Sequence, residues 1–249
     1  MRLPSHRRVR VAGFVVAALL LVLAAYPGTF GAPYVTASDG PQYAHTIVPA
    51  DSPLYDEYTS GYDHEVYQYE ELSPVARELF DRTRAAEPRE QYNGERRYIP
   101  EVCRDFMLVC DTYYEDDLPE EFTYGTELDY EEAFVFVEDG SDRYLLRTGW
   151  TGQGGLFAFP VRVVLSWLTL VPLAGFIGLL AAKSADTGLL TGAVGGGILV
   201  AVGSLLSPYV EMMGVASGLA IGLVCLVVVW LSITVTGGRA LYQRVTNRR

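Results

Sequence analysis

The residues with the most chemical reach are few: three cysteines and three histidines in a chain of 249 residues. Cys103 and Cys110 have six residues between them. That gap is not a usual zinc spacing, and no second cysteine pair follows to complete a tetrahedral site. Outside the reducing cytosol the natural outcome is a disulfide. A loop of about eight residues would then add roughly 2–3 kcal/mol in the chain-entropy picture. Two reduced buried thiols, or a metal site lacking its other ligands, are the alternatives. Cys225 falls in a long apolar run and reads as a small packing residue. The histidines are His6, His45 and His64, none inside an apolar run. This excludes the serine–histidine pair of an intramembrane protease and the two-histidine helix motif of a zinc protease. Asp63-His64-Glu65 could donate to a metal, but the start of a solvent-facing strand is the simpler reading.

Carboxylates are the other candidates. Glu115-Asp116-Asp117 with Glu120-Glu121, and Asp139 with Asp142, offer oxygen ligands suited to Ca²⁺. Neither has the fixed spacing of an ordered calcium loop, and a segment this acidic makes clusters by composition alone. No pair stands out for glycoside chemistry, which depends on a separation in space. No catalytic residue, metal set or cofactor pattern is assigned. Fourteen of the 17 tyrosines fall between Tyr34 and Tyr144. They could line a binding face for sugar or protein, although half-buried core residues are the plainer expectation.

Charge divides the chain into two populations. Pro27 to Val161 holds 28 Asp and Glu against 9 Arg, and Lys183 is the only lysine in the sequence. The remainder holds 10 Lys and Arg against Asp186 and Glu211, and the whole chain carries a net charge of −11. A surface so acidic and so poor in lysine suits strong brine: at ~1 M salt the Debye length is about 3 Å, and self-repulsion is screened. It offers no basic stripe for nucleic acid.

Three uncharged runs follow the acidic segment: Val163–Ala182 of 20 residues, Thr187–Val210 of 24 and Met212–Gly238 of 27. About 20 helical residues cross a ~30 Å hydrocarbon core, and the backbone must then bond to itself, so helices are expected. Pro172 could kink the first of these runs, with no polar cluster beside it. Free of charge inside, the helices lack what transport usually needs. Near the start, Arg2, Arg7, Arg8 and Arg10 precede the apolar run Val11–Tyr26, which is either a signal peptide or a first membrane helix. Arg2–Arg10, Lys183 and the arginines from Arg239 onward would all lie in the cytoplasm, with the acidic domain and a Ser207–Met213 loop outside.

The expected organisation is a signal peptide or first helix over 1–32, an extended tether over 33–61 and an acidic extracellular domain over 62–150. Residues 157–238 then form three membrane helices (about 163–182, 188–207 and 213–236), and 239–249 is a basic cytoplasmic tail. Within the domain, Glu65–Tyr69 reads as a strand. Ser73-Pro74 opens a helix whose apolar face is Val75, Ala76, Leu79, Phe80 and Thr83. Phe106–Val109 reads as a short buried strand. Ala133–Val137 and Arg143–Arg147 read as a hairpin across Gly140. The fold class is an α+β outer domain, one helix on a small antiparallel sheet, plus an all-α transmembrane bundle.

Tyr67-Gln68-Tyr69-Glu70-Glu71-Leu72-Ser73-Pro74, with Arg77, Leu79, Phe80 and Asp81, resembles the strand-then-helix opening of an uncharacterised extracytoplasmic domain of haloarchaeal multi-pass membrane proteins. Phe122-Thr123-Tyr124-Gly125 and the Asp139-Gly140 hairpin with Tyr144 resemble its later part. The likeness spans roughly Glu65 to Thr148, does not account for the Cys103–Cys110 insert, and implies no activity.

In the membrane segments Gly188, Gly192 and Gly196 recur every four residues, as do Gly214, Gly218 and Gly222. Small residues on one ridge let helix backbones approach, each ridge facing a different neighbour. The expected partners are the lipid bilayer and either another membrane protein or a second copy of the chain. The function expected from all this is a membrane-anchored, non-enzymatic surface protein displaying an acidic interaction domain. The alternatives are an accessory subunit of a membrane complex docking through the glycine-rich helices, and an outward-facing enzyme.

Overall fold

The computed structural model describes residues 6–36, 42–59, 65–124, 134–151, 158–183 and 186–246. The chain divides into two compact units, Met1–Pro33 with Phe157–Arg249, and Tyr34–Leu156.

The first unit is helical. α1 (His6–Ala25), α4 (Ala158–Lys183), α5 (Thr187–Met212) and α6 (Gly218–Thr246) are each long and apolar enough to cross a membrane. His6 is the first residue of α1, ahead of its apolar stretch. The unit's core joins Val16, Leu20 and Leu23 of α1 to Leu170, Ile177 and Ala181 of α4 and Leu190 and Ala201 of α5. α5 runs through Pro208 to Met212, so the loop expected over 207–213 starts later. It turns at Gly214, whose φ is +69°, a conformation that favours glycine. α6 begins at Gly218, five residues after the expected start. There Ser217 Oγ accepts from Ala220 N at 3.2 Å, and Glu211 Oε2 accepts from Gly218 N at 2.6 Å.

Both helix-interior prolines leave a carbonyl four residues back without its helical donor. Each carbonyl is taken up by another element of the same unit. Leu168 O, opposite Pro172, accepts from the Trp230 indole Nε1 of α6 at 3.1 Å. Ser204 O, opposite Pro208, accepts from Phe30 N at 3.2 Å and from Ser207 Oγ at 2.9 Å. Phe30, in the turn after α1, is fully buried with φ +53°. Thr29 and Ser166 complete this internal bonding: Thr29 Oγ1 donates to Leu23 O at 2.7 Å, and Ser166 Oγ to Thr29 O at 3.2 Å. In lipid no water would satisfy these groups.

The second unit is a six-stranded sheet formed by β1 (Gln42–Val48), β2 (Glu65–Gln68), β3 (Pro88–Arg89), β4 (Glu95–Tyr98), β5 (Phe134–Asp139) and β6 (Asp142–Thr151). The strand order is β2-β5-β6-β1-β4-β3. Two expectations change here. The sheet is mixed rather than antiparallel, because β2 runs parallel to β5 with Tyr67 opposite Val137. α3 (Pro74–Ala85) lies between these two strands in sequence, and a parallel pair requires such a crossover. The segment 33–61, expected as a tether, supplies β1, an interior strand paired with β6 along its whole length and with β4 over His45–Ile47. It also supplies α2 (Pro53–Thr59), so α3 is not the domain's lone helix.

The two faces of the sheet carry different cores. On one, Leu79, Phe80 and Ala76 of α3 meet Ile47, Val135, Val137 and Leu146. On the other, Val48, Phe134, Phe136 and Leu145 pack with Tyr55 of α2. α3 starts as its sequence implies: Ser73 Oγ accepts from Ala76 N at 3.3 Å, and Pro74 occupies the first turn. The β5–β6 hairpin closes through Gly140-Ser141, with Asp139 opposite Asp142 and φ +65° at Gly140.

Candidate functional site

The sulfurs of Cys103 and Cys110 lie 2.00 Å apart, at disulfide distance. Closing this eight-residue loop keeps Phe106–Val109 from extending. The expected buried strand is therefore absent: the segment is turn and bend, Met107 points inward, and Leu108 is 87% exposed. The loop is tied down at its base. Cys103 N donates to Tyr113 O at 2.8 Å, Val35 N to Val102 O at 2.8 Å, and the Tyr34 hydroxyl to Asp111 Oδ1 at 2.8 Å. Among the described residues the metal-ligand types converge in threes only at Cys103, Cys110 and Asp111. With the two sulfurs joined, neither offers a thiolate.

His45 is fully buried on β1. Its Nε2 lies 2.8 Å from the Tyr124 hydroxyl, and Phe122 and Tyr124 present ring edges to it. Nδ1 has no hydrogen-bond partner. An orphaned acceptor costs less than an orphaned N–H, so the tautomer with Nε2–H donating to Tyr124 is favoured. Burial pushes the imidazole pKa down to about 3, and burial likewise pushes the Tyr124 phenol up. Both groups stay neutral at pH 7. Fully buried and bonded to a neutral phenol, His45 is part of the core of the sheet unit. His64 and Asp63 lie outside the described residues.

The acidic clusters are engaged with protein donors. Glu115 accepts from the Tyr43 hydroxyl, Asp117 Oδ2 from Tyr114 N at 2.9 Å, and Glu121 Oε1 from Ser73 N at 2.8 Å. Burial alone would raise Glu121, but backbone donors at Glu121 and Ser73 outweigh it and hold the carboxyl below its ordinary range. Asp139 and Asp142 face each other across the hairpin, and Asp139 accepts from Arg84 Nη1 at 2.7 Å. On the sheet face away from α3, the nearly buried Glu95 pairs with Arg147 at 3.6 Å. Arg97 and Arg147 flank Thr46 in one cross-strand row. Burial lowers the Arg97 pKa, and the neighbouring charges of Arg89 and Arg147 add to this.

The glycine ridges behave differently from their sequence pattern. Gly214 lies in the α5–α6 turn, outside any helix, so that triplet is not one helical ridge. Gly218 and Gly222 are close-approach positions. A methyl group at Gly218 would lie 2.8 Å from the Gly31 carbonyl oxygen, and one at Gly222 would lie 2.5 Å from Leu165 Cδ2. Gly188 is capped by Asp186, whereas a methyl group at Gly192 or Gly196 would meet nothing within 4 Å beyond its own helix backbone. All three line a groove of about 550 Å³ between α4, α5 and α6. A further close contact is at a glycine the repeat passes over: a methyl at Gly197 would lie 2.6 Å from Ile177 Cδ1 and 2.9 Å from Val16 Cγ1.

The sequence reading also missed a notch at one end of the sheet. β1 ends at Val48, opposite Leu145, and the chain turns off at Pro49. β6 continues without it through Asp142–Tyr144, still paired to β5. The gap is a cavity of about 610 Å³ lined by Ile47, Val48, Pro49, Ala50 and Tyr55, and by Arg84, Arg96, Ser141, Asp142, Arg143 and Tyr144. Three of the nine arginines of this acidic unit are among its lining residues. Their sequence positions, 84, 96 and 143, give no hint of the cavity, because it depends on where β1 stops.

No protein-family model matches the chain, and no curated protein or solved structure matches it.

Proposed function

We propose that the protein is a multi-pass membrane anchor that displays the acidic sheet unit on the outer face of the cell. The observation that carries this reading is the coexistence of four long apolar helices with an inserted unit dense in carboxylates. The positive charges supply the orientation: Arg7, Arg8 and Arg10, Lys183, and the arginines from Arg239 onward fall on one side of four crossings, the cytoplasmic side. α1 is a permanent member of the bundle rather than a cleaved signal. Leu20 and Val16 are buried against α4 and α5, and Phe30, just beyond it, bonds to the carbonyl that Pro208 leaves free. N-terminal sequencing of the mature protein tests this; a first residue beyond Ala25 would refute it.

The displayed unit acts by binding rather than by catalysis, and its setting is strong brine such as surrounds haloarchaea. The charge excess and the near absence of lysine support that setting. Hydrogen exchange on the full-length protein checks it. As NaCl falls from multimolar to ~0.1 M, amide protection should drop across β1, β5 and β6 while persisting in α4 and α5. Unchanged protection in the sheet would contradict the brine reading.

A second reading, an accessory subunit of a membrane complex, has its own support in the glycine-floored groove beside α5. Gentle extraction followed by cross-linking separates the two. A stoichiometric membrane partner would favour the subunit, and a monodisperse lone protein would favour the displayed binding domain.

A further inference from the structure

We propose that the disulfide loop is a membrane finger whose tip, Leu108 and Val109, inserts into the lipid leaflet on the sheet unit's side of the bilayer. This rests on the reading of α1, α4, α5 and α6 as membrane spans, and it stands whichever side of the membrane the sheet unit occupies. The tip is out of place on a surface made for brine. Leu108 is 87% exposed and its neighbour Val109 63%. Among the described residues of the sheet unit no other large aliphatic side chain exceeds Val66, at 45%. The six residues between the cysteines hold one Arg and one Asp, so the loop is neutral in a segment with 28 acidic residues against 9 arginines. Apolar area left in water is stabilisation forgone, and a lipid interface recovers it.

The fold puts this loop at one particular end of the sheet. β6 runs from the hairpin at Asp142 to Thr151, and at ~3.3 Å per residue its ends lie roughly 30 Å apart. Thr151 faces Gln42, the first residue of β1, and α4 begins at Ala158, seven residues further along the chain. Gln42 Nε2 donates to Val35 O at 3.3 Å, and Val35 N donates to Val102 O at 2.8 Å. Tyr34, the first residue of the sheet unit, bridges to Cys103, and its carbonyl accepts from Arg104 Nε at 3.3 Å. Both covalent connections to the membrane helices therefore leave from the end of the sheet that carries the loop. Trp150, 39% exposed and opposite Tyr43 at this same end, is the residue type that collects at membrane interfaces.

Chain length limits how far the loop's base can stray from lipid. The Gly31 carbonyl packs on Gly218, the first residue of the apolar span of α6. Tyr34 comes three residues after Gly31, a stretch that spans at most about 11 Å. The polar layer on each side of the hydrocarbon is about 5–7 Å deep, so the tip is within reach of it. The disulfide supplies stiffness. It closes the loop, Met107 is buried beneath the tip, and the Tyr114 hydroxyl donates to Met107 O at 3.2 Å. Little order is then lost when lipid takes the tip. Irregular backbone does not enter hydrocarbon, so the two side chains insert while their backbone stays among the headgroups.

Site-specific photo-crosslinking tests this on the full-length protein in nanodiscs of phosphatidylcholine and phosphatidylglycerol at multimolar salt. A benzophenone amino acid replaces, one at a time, Leu108, Val109, Ser141 at the far hairpin, and Leu199, 75% exposed on α5. Mass spectrometry of the digested protein reads the lipid adducts. Leu108 and Val109 should give adducts within about threefold of Leu199, and Ser141 about tenfold fewer or less. With the probe at Leu108, Val109→Asp should cut the adduct several-fold, because a carboxylate resists entry. Adducts at Leu199 with none at Leu108, equal adducts at Leu108 and Ser141, or a Leu108 adduct undiminished by Val109→Asp would overturn the finger and leave the membrane anchor standing. No adduct at Leu199 would instead refute the spans themselves, and the finger with them.

Discussion

The two units of this chain reverse each other's surface. In the helical unit large aliphatic side chains lie outermost: Leu199 is 75% exposed, Val22 66% and Val224 64%. Three of its hydroxyl groups, on Ser204, Ser207 and Thr169, are fully buried and donate to backbone carbonyls. In the sheet unit the aliphatic residues of β1, β5 and β6 are buried, and ion pairs of carboxylate and guanidinium lie at the surface. Each arrangement is stable only in its own solvent. Exposed leucine has no cost in hydrocarbon, whereas an unbonded carbonyl there costs several kcal/mol. In water the costs run the other way. It follows that the units should fail to different insults.

The largest contrast is steric and belongs to the helical unit. Gly197→Leu should cost about 3 kcal/mol or more, because Ile177 and Val16 already occupy the space. Gly192→Ala, facing open space, should leave stability unchanged or slightly raised. Thermal unfolding followed by size-exclusion in detergent would show this, and equal losses at both positions would break the assignment of close contacts.

Acid should strike the sheet unit. The folded pKa of His45, about 3, lies below its ordinary 6.5. The unfolded chain therefore binds the proton first, and stability present above pH ~6.5 is lost as pH falls toward 3. Glu121, held below its ordinary range, adds to the loss at the acid end. The groups packed on the ring, Phe122 and Tyr124, carry no charge to offset it. His45→Phe should flatten the dependence of unfolding on pH between 4 and 6.5, and an unchanged slope would show that His45 does not govern it.

Reducing Cys103–Cys110 should cost about 2–3 kcal/mol. The effect should be confined to the sheet unit, where hydrogen exchange would register faster opening around Tyr113 and Val35.

The smallest effect probes the prolines. Trp230→Phe removes the donor to Leu168 O and should cost about 1–2 kcal/mol. In the Pro172→Ala background, where the helix supplies its own donor, the same change should cost much less. Additive losses in the double variant would remove that explanation.

Some of this was legible in the sequence. The apolar runs announce the helices after the acidic segment, Ser73-Pro74 announces α3, and the alternation around Gly140 announces the hairpin, because each of these signals is local. β1 was missed for the opposite reason. Gln-Tyr-Ala-His-Thr-Ile-Val carries a histidine and small residues at its centre, and its identity comes from pairing with β4 and β6, distant in sequence. Phe106–Val109 was misread because a covalent closure overrides local β-propensity. The close contact at Gly197 escaped because a four-residue repeat drew attention to the neighbouring ridge, and the notch because it exists only where β1 ends and β6 continues.

Everything rests on the two units living in different solvents, the sheet unit outside the cell. Ser141→Cys, at the exposed tip of the hairpin, and Lys183→Cys, at the end of α4, give one direct readout with a membrane-impermeant maleimide. On intact cells the account predicts labelling of Cys-substituted Ser141 and none at Lys183 until the membrane is permeabilised. The reverse pattern, with Lys183→Cys labelled on intact cells and Ser141→Cys protected, would contradict it.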